Sequence, residues 1–129
     1  MKNRDSLLRR LDRVFSDYVR YKETIDGYGV CVSCGNRLPL HKLDAGHFWS
    51  RRHMGTRYDE DNVHIQCRAC NRFRADDAKA AYATWMVANN YDLERLRFKA
   101  LGITKFTDGE LDVLLKTYRD KLKTIKENR

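Results

Sequence analysis

Two C-x-x-C pairs constrain this chain more than any other feature: Cys31-Val32-Ser33-Cys34 and Cys67-Arg68-Ala69-Cys70. Each is followed by a small or polar residue, Gly35 or Asn71, suited to a tight turn around a metal. Four thiolates match tetrahedral zinc with no open position, so the expected ion is structural. The spacing is unusual. Thirty-two residues separate Cys34 from Cys67, whereas compact ribbons and fingers place roughly 12 to 20 between ligand pairs. The zinc is therefore expected to tie together the two ends of an inserted unit.

Apolar spacing predicts helices on both sides of that unit. Leu7, Leu8, Leu11, Val14, Phe15, Tyr18 and Val19 recur at steps of three and four, which predicts an amphipathic helix from Asn3 to about Ile25. Its other face carries Arg9, Arg10, Arg13, Arg20 and Lys22. The plainer reading of those charges is a solvated face, and the sharper one a phosphate-contacting or dimer-flanking helix. "DGYG" (26–29) stops the helix, and a loop-rich middle is expected to run to about Phe73. A further helix follows in "ADDAKAAYATWMVANN", and another from Tyr91 to Leu101. The last opens with Thr107 and Glu110 in a capping-box arrangement. At 129 residues the chain is expected to form one domain over 1–129, with an N-terminal helix in 1–27, a zinc-stapled core in 28–75 and C-terminal helices in 76–129.

The 26 Lys and Arg outnumber the 18 Asp and Glu, for a formal charge of +8, which points to a polyanionic partner. There is neither an apolar run of about 18 residues nor a secretory leader, so no membrane partner and a cytosolic location are expected. In that reducing compartment the cysteines are read as metal ligands, not as disulfides. Between the knuckles, Arg51, Arg52 and Arg57, continued by Arg68, Arg72 and Arg74, are arginine where a generic basic surface would mix in lysine. Guanidinium groups grip phosphate bidentately, which favours a phosphodiester site. The plainer alternative is a solvated loop balanced by Asp59, Glu60 and Asp61.

His47, in "LDAGHFWS", and "DNVHIQCRACN" further along carry a resemblance. A first C-x-x-C, a short strand bearing a histidine, a loop, an asparagine with apolar neighbours and C-x-x-C-N at the start of a helix resemble the zinc-stapled HNH, or ββα-metal, endonucleases. More narrowly, "DAGHF", "RYDEDNVHIQCRACN" and the helix after them are similar to the NinG or Rap recombination nucleases of lambdoid bacteriophages, and the knuckles are more distantly similar to phage endonuclease VII. The resemblance covers roughly 30–73 well. It implies a mainly α fold with a small ββα-metal centre stapled by a four-cysteine zinc site, and a DNA endonuclease using magnesium or manganese, in the cytoplasm of a bacterial host. Branched recombination intermediates such as Holliday junctions and D-loops are the implied substrates, a 5′ phosphate and a 3′ hydroxyl the implied products, and a homodimer built through the terminal helices a plausible assembly.

Residue by residue, the resemblance makes His47 the general base and Asn62 the brace of its loop. Asn71 becomes a ligand of the catalytic ion. The family's usual ligand immediately before the base is missing, because that position is Gly46. Asp44 is the nearest substitute, but residues three apart on a regular strand face opposite sides. A bulge at Gly46 is therefore expected to bring Asp44 round to the ion. His64, two residues beyond Asn62, is expected either to assist catalysis or to be packed. His53 is read as solvent-facing or phosphate-contacting, and Phe48 and Trp49 as core or as a wedge at a DNA branch. The rival class is a non-catalytic zinc-ribbon module that binds nucleic acid without cutting it.

Overall fold

The computed structural model describes residues 2–129, the Lys2 side chain excepted. Helix α1 (Lys2–Lys22) opens the chain, followed by β1 (Tyr28–Val30), β2 (Arg37–Pro39), β3 (Leu43–His47), a short α2 (Met54–Arg57), β4 (Val63–Cys67) and α3 (Arg68–Arg72). Helices α4 (Ala75–Ala88), α5 (Leu93–Leu101) and α6 (Asp108–Glu127) complete it. The fold is mostly helical, with two antiparallel two-stranded sheets, β1–β2 and β3–β4. No helix among the described residues is long and apolar enough to cross a membrane.

The apolar stripe of α1 meets that of α6. Leu7, Leu11, Phe15 and Val19 from one helix and Leu111, Leu115 and Tyr118 from the other are buried together with Tyr58 and Val63. Each such side chain removed from water contributes about 1.5–3 kcal/mol. Phe15 stands edge-on to Tyr118 at 4.8 Å and to Tyr58 at 5.6 Å between ring centroids, the arrangement aromatic quadrupoles prefer. Thr107 and Glu110 do form the capping box that starts α6. A second core joins Val32 to Tyr82 and Met86 of α4 and Leu96 of α5.

The β3–β4 pair lies between these two cores, and its pleat assigns a side to each residue. Val63 and Ala45 face the α1–α6 core. His64 and Gln66 face the other way, where His64 packs 4.8 Å from Trp85 and 6.0 Å from Tyr82. The register is unbroken: Leu43 pairs with Cys67, Asp44 with Gln66, Ala45 with Ile65, Gly46 with His64 and His47 with Val63. The bulge expected at Gly46 is therefore not formed. Glycine stands there for a different reason, since a β-carbon would overlap the Gln66 side-chain oxygen and lie 2.7 Å from its Cδ. The close approach of Gln66 requires a residue without a side chain.

Candidate metal centre and arginine cleft

The first knuckle is the loop of the β1–β2 hairpin. Gly35 closes it in the left-handed region, at φ +79°, which glycine adopts without steric cost. The second knuckle begins with Cys67, the last residue of β4, whose sulfur accepts the Cys70 N–H at 3.4 Å and so caps α3. Asn71 sits inside this short helix, not at a turn. The four thiols, Cys31, Cys34, Cys67 and Cys70, lie within 4.8 Å of one another. Cys34 and Cys67 are 3.8 Å apart, the separation expected of two sulfurs at the corners of a tetrahedron with metal–sulfur bonds of about 2.3 Å. Burial raises the Cys31 thiol pKa, but backbone N–H groups led by that of Cys34 more than offset it and hold this sulfur below its ordinary value. The donor set and spacing fit a zinc ion, which the four cysteines could hold as a closed structural site.

Beside the knuckles, a cleft of about 730 Å³ runs along β3 and α1. Asp44, His47, Asn71, Arg51, Arg68 and Arg72 all line it. Although Asp44 and His47 belong to opposite faces of β3, both reach the cleft without a distortion of the strand. The Asp44 carboxylate accepts from the Asn71 amide at 3.0 Å and from the Arg72 guanidinium at 3.0 and 3.3 Å, with Arg68 3.8 Å away. A half-turn of the Asn71 amide exchanges its nitrogen for its oxygen. Two oxygens about 3.0 Å apart match adjacent corners of an octahedron with metal–oxygen bonds of about 2.1 Å. As placed, both Asp44 oxygens are engaged by Arg72 and Asn71 presents its nitrogen, so Asp44 and Asn71 could hold a divalent ion only by giving up these contacts.

His47 is held by one nitrogen. Its Nε2 lies 3.0 Å from the Arg57 carbonyl oxygen, and a carbonyl only accepts, so Nε2 carries the proton of the neutral ring. Nδ1 is then a lone pair with no hydrogen-bond partner among the described residues. Burial pushes the His47 pKa below its ordinary value, outweighing the Arg57 carbonyl, and the Arg51 charge acts in the same direction. The imidazole is neutral at pH 7.

Asn62, fully buried, ties the loop after His47. Its amide donates to the carbonyls of Trp49 and Thr56 at 3.0 Å each, and its oxygen accepts the Trp49 N–H at 2.9 Å. His64 is not brought to the cleft. Its pairing with Gly46 turns it toward α4, and both ring nitrogens are engaged there, Nδ1 with Glu23 at 2.6 Å and Nε2 with the Asp61 carbonyl at 2.8 Å.

The arginines divide. Arg51, Arg68 and Arg72 line the cleft, while Arg52, Arg57 and Arg74 do not. Arg57 forms a bidentate pair with Asp12 at 2.6 and 3.1 Å, which fixes the backbone carbonyl that holds His47. His53 donates to the Ala100 carbonyl at 3.2 Å. Phe48 and Trp49 are half-buried under Lys79, which sits 5.0 and 5.2 Å from their rings. Sequence reading did not place Ser16 and Asp17 in the site, yet both line the cleft with Arg13 and Arg20. The signal was available, because 13, 16, 17 and 20 form a polar stripe at helical spacing beside the apolar one. Arg20 is occupied in pinning β3, donating to the carbonyls of Leu43 and Leu40 at 2.8 Å each.

No curated protein and no solved structure matches this chain significantly. The model of one family, described as the bacteriophage Lambda NinG protein, matches residues 1–128. With both knuckles, the cleft between them and the flanking helices all inside the matched span, the chain belongs to the bacteriophage Lambda NinG family.

Proposed function

We propose that this protein is a metal-dependent DNA endonuclease of the HNH type that hydrolyses phosphodiester bonds in branched recombination intermediates. The observation that carries the reading is His47: a neutral imidazole, anchored through Nε2 with Nδ1 unprotonated, in a cleft lined by arginines together with Asp44 and Asn71. Phosphodiester hydrolysis needs a base for water, charge compensation at phosphorus and a fixed substrate. His47 Nδ1 takes the proton from the attacking water. Arg51, Arg68 and Arg72 bind the phosphate oxygens, in competition with Asp44 for the last two guanidinium groups. Asn62 keeps the 49–56 loop, and with it the Arg57 carbonyl, in place behind the ring. Asp44 and Asn71 would hold the magnesium or manganese ion, which supplies Lewis-acid stabilisation of the developing negative charge. His64 has no part in this scheme. Because α1 and α6 use their apolar faces on each other, a homodimer that presents two such sites is proposed without assigning its interface to those stripes.

The test is incubation of the protein with a labelled four-way junction, a D-loop and plain duplex, with magnesium or manganese and with chelator. Cutting of a branched substrate that needs the divalent ion and falls at least a hundredfold in His47→Ala is expected. Tight, salt-sensitive binding with no cleavage would replace the reading by a non-catalytic zinc-ribbon binding module.

A further inference from the structure

Most arginines near a carboxylate in this protein are paired: Arg4 with Asp108, Arg20 with Asp17, Arg57 with Asp12, Arg72 with Asp44 and Arg95 with Asp59. One group is not. A second groove, of about 390 Å³, is formed by Ser6, Arg9, Arg10, Arg13 and Val14 of α1 and Arg119 of α6, with no acid in its lining. None of its four arginines makes an ion pair among the described residues, and only Arg10 has an internal hydrogen bond, from Nε to the Ser6 carbonyl at 3.3 Å. Four guanidinium groups converging on one groove repel each other, and a polyanion laid across them would relieve that repulsion.

Arg13 lines both this groove and the His47 cleft, so the two basic surfaces are continuous along α1. Arg9 and Arg13 are one helical turn apart, about 6 Å along the axis, close to the advance of two base pairs along a DNA strand, about 6.8 Å. We infer that the groove is a backbone-phosphate track for a DNA arm leaving the cleft, read by charge and not by base identity. The inference rests on the nuclease reading for what occupies the cleft, but the groove itself is tested by binding alone. From Arg13 to Arg9 the helix advances about 6 Å, so the track should cover about two base pairs of one arm beyond the cleft.

The triple variant Arg9→Ala/Arg10→Ala/Arg119→Ala leaves Arg13 and the cleft untouched, and all three residues are exposed, so its thermal melt should match that of the wild type. Binding to a four-way junction is measured in chelator, where no cleavage occurs, as a function of salt and by hydroxyl-radical footprinting. The variant should lower the slope of log K against log salt by about 2–3, at about 0.9 per phosphate contact, and lose protection over the outer two or so base pairs of one arm. An unchanged slope and footprint, uniform loss of protection on every arm, or a wild type that does not bind would overturn the inference. A wild type that binds with the full slope yet cuts nothing with magnesium would remove the nuclease reading and leave the track in place.

Discussion

Replacing Gly46 by alanine tests the unbroken β3–β4 register directly. The added β-carbon would overlap the Gln66 side-chain oxygen and stand 2.7 Å from Cδ and 3.0 Å from Cγ, against an ordinary carbon contact of about 3.5–4.0 Å. The amide must retreat by roughly 1 Å, and its Nε2 then leaves the Ser33 hydroxyl, which it reaches at 2.9 Å. Gln66 is 4% exposed, so water does not replace that partner. An unpaired buried amide costs about 1–3 kcal/mol and overpacking about 1–3 kcal/mol. The strand regains about 0.5–1 kcal/mol from losing glycine's conformational freedom. The expected net cost is about 1–5 kcal/mol. In a Gln66→Ala background the obstacle is gone, and Gly46→Ala should stabilise the strand by about 0.5–1 kcal/mol, so the two changes couple by about 2–6 kcal/mol. Urea unfolding followed by circular dichroism in zinc-containing buffer measures all four corners of the cycle. A cost under about 0.5 kcal/mol in the wild type, or the same cost in both backgrounds, would refute the packing described for Gly46.

His47, its pKa lowered by burial, should place the acid limb of kcat/KM for junction cleavage below the free-imidazole value of about 6.5. The same shift is linked to stability: the unfolded chain binds the proton more readily, so the contribution is complete above about pH 6.5 and is lost as the pH falls through the folded pKa. His47→Gln should remove that part of the pH dependence, and identical stability-against-pH curves for the two proteins would contradict it. Asp12→Ala strands Arg57, whose side chain is only 17% exposed, and also removes the acceptor of the Tyr58 hydroxyl at 2.7 Å. It should cost about 3–5 kcal/mol and reduce cleavage even at temperatures where the protein stays folded, because the carbonyl that anchors His47 moves. Cys67→Ser should lose one equivalent of zinc and the cooperative thermal transition together; a cooperative melt retained without metal would show the four thiols to be dispensable.

Local features were legible in the sequence. The apolar steps of α1 and α6, the Thr107 capping box and the two knuckles each depend on residues close together in the chain, where period and spacing carry the information. What escaped depends on residues far apart. The Arg57–Asp12 pair spans 45 positions, so an arginine that reads as a phosphate clamp is in fact a structural brace. The glycine before His47 looked like a bulge because the contact that excludes a side chain comes from Gln66 on the facing strand. Asp44 and His47 meet without the distorted strand that parity predicts, because parity separates side-chain faces but does not describe a cleft that both border. Asp17 and Ser16 were missed because the polar side of α1 was read as charge and not as a lining.

The pairing of Leu43 with Cys67 makes one residue both a strand end and a candidate metal ligand. A strand slip of a single position would exchange the faces of every side chain it carries, moving Asp44 and His47 relative to the cleft. A metal on the four thiolates fixes Cys67 in space and so acts as a ruler, measuring the strand from its end. The five-residue length of β4 from Val63 to Cys67 then sets where Asn62 arrives against the loop behind His47. One residue inserted or deleted within that length would leave every functional group present and the metal bound, yet misalign the ring with its brace. An ion held by the four thiolates would be the origin from which the position of the proposed base is measured.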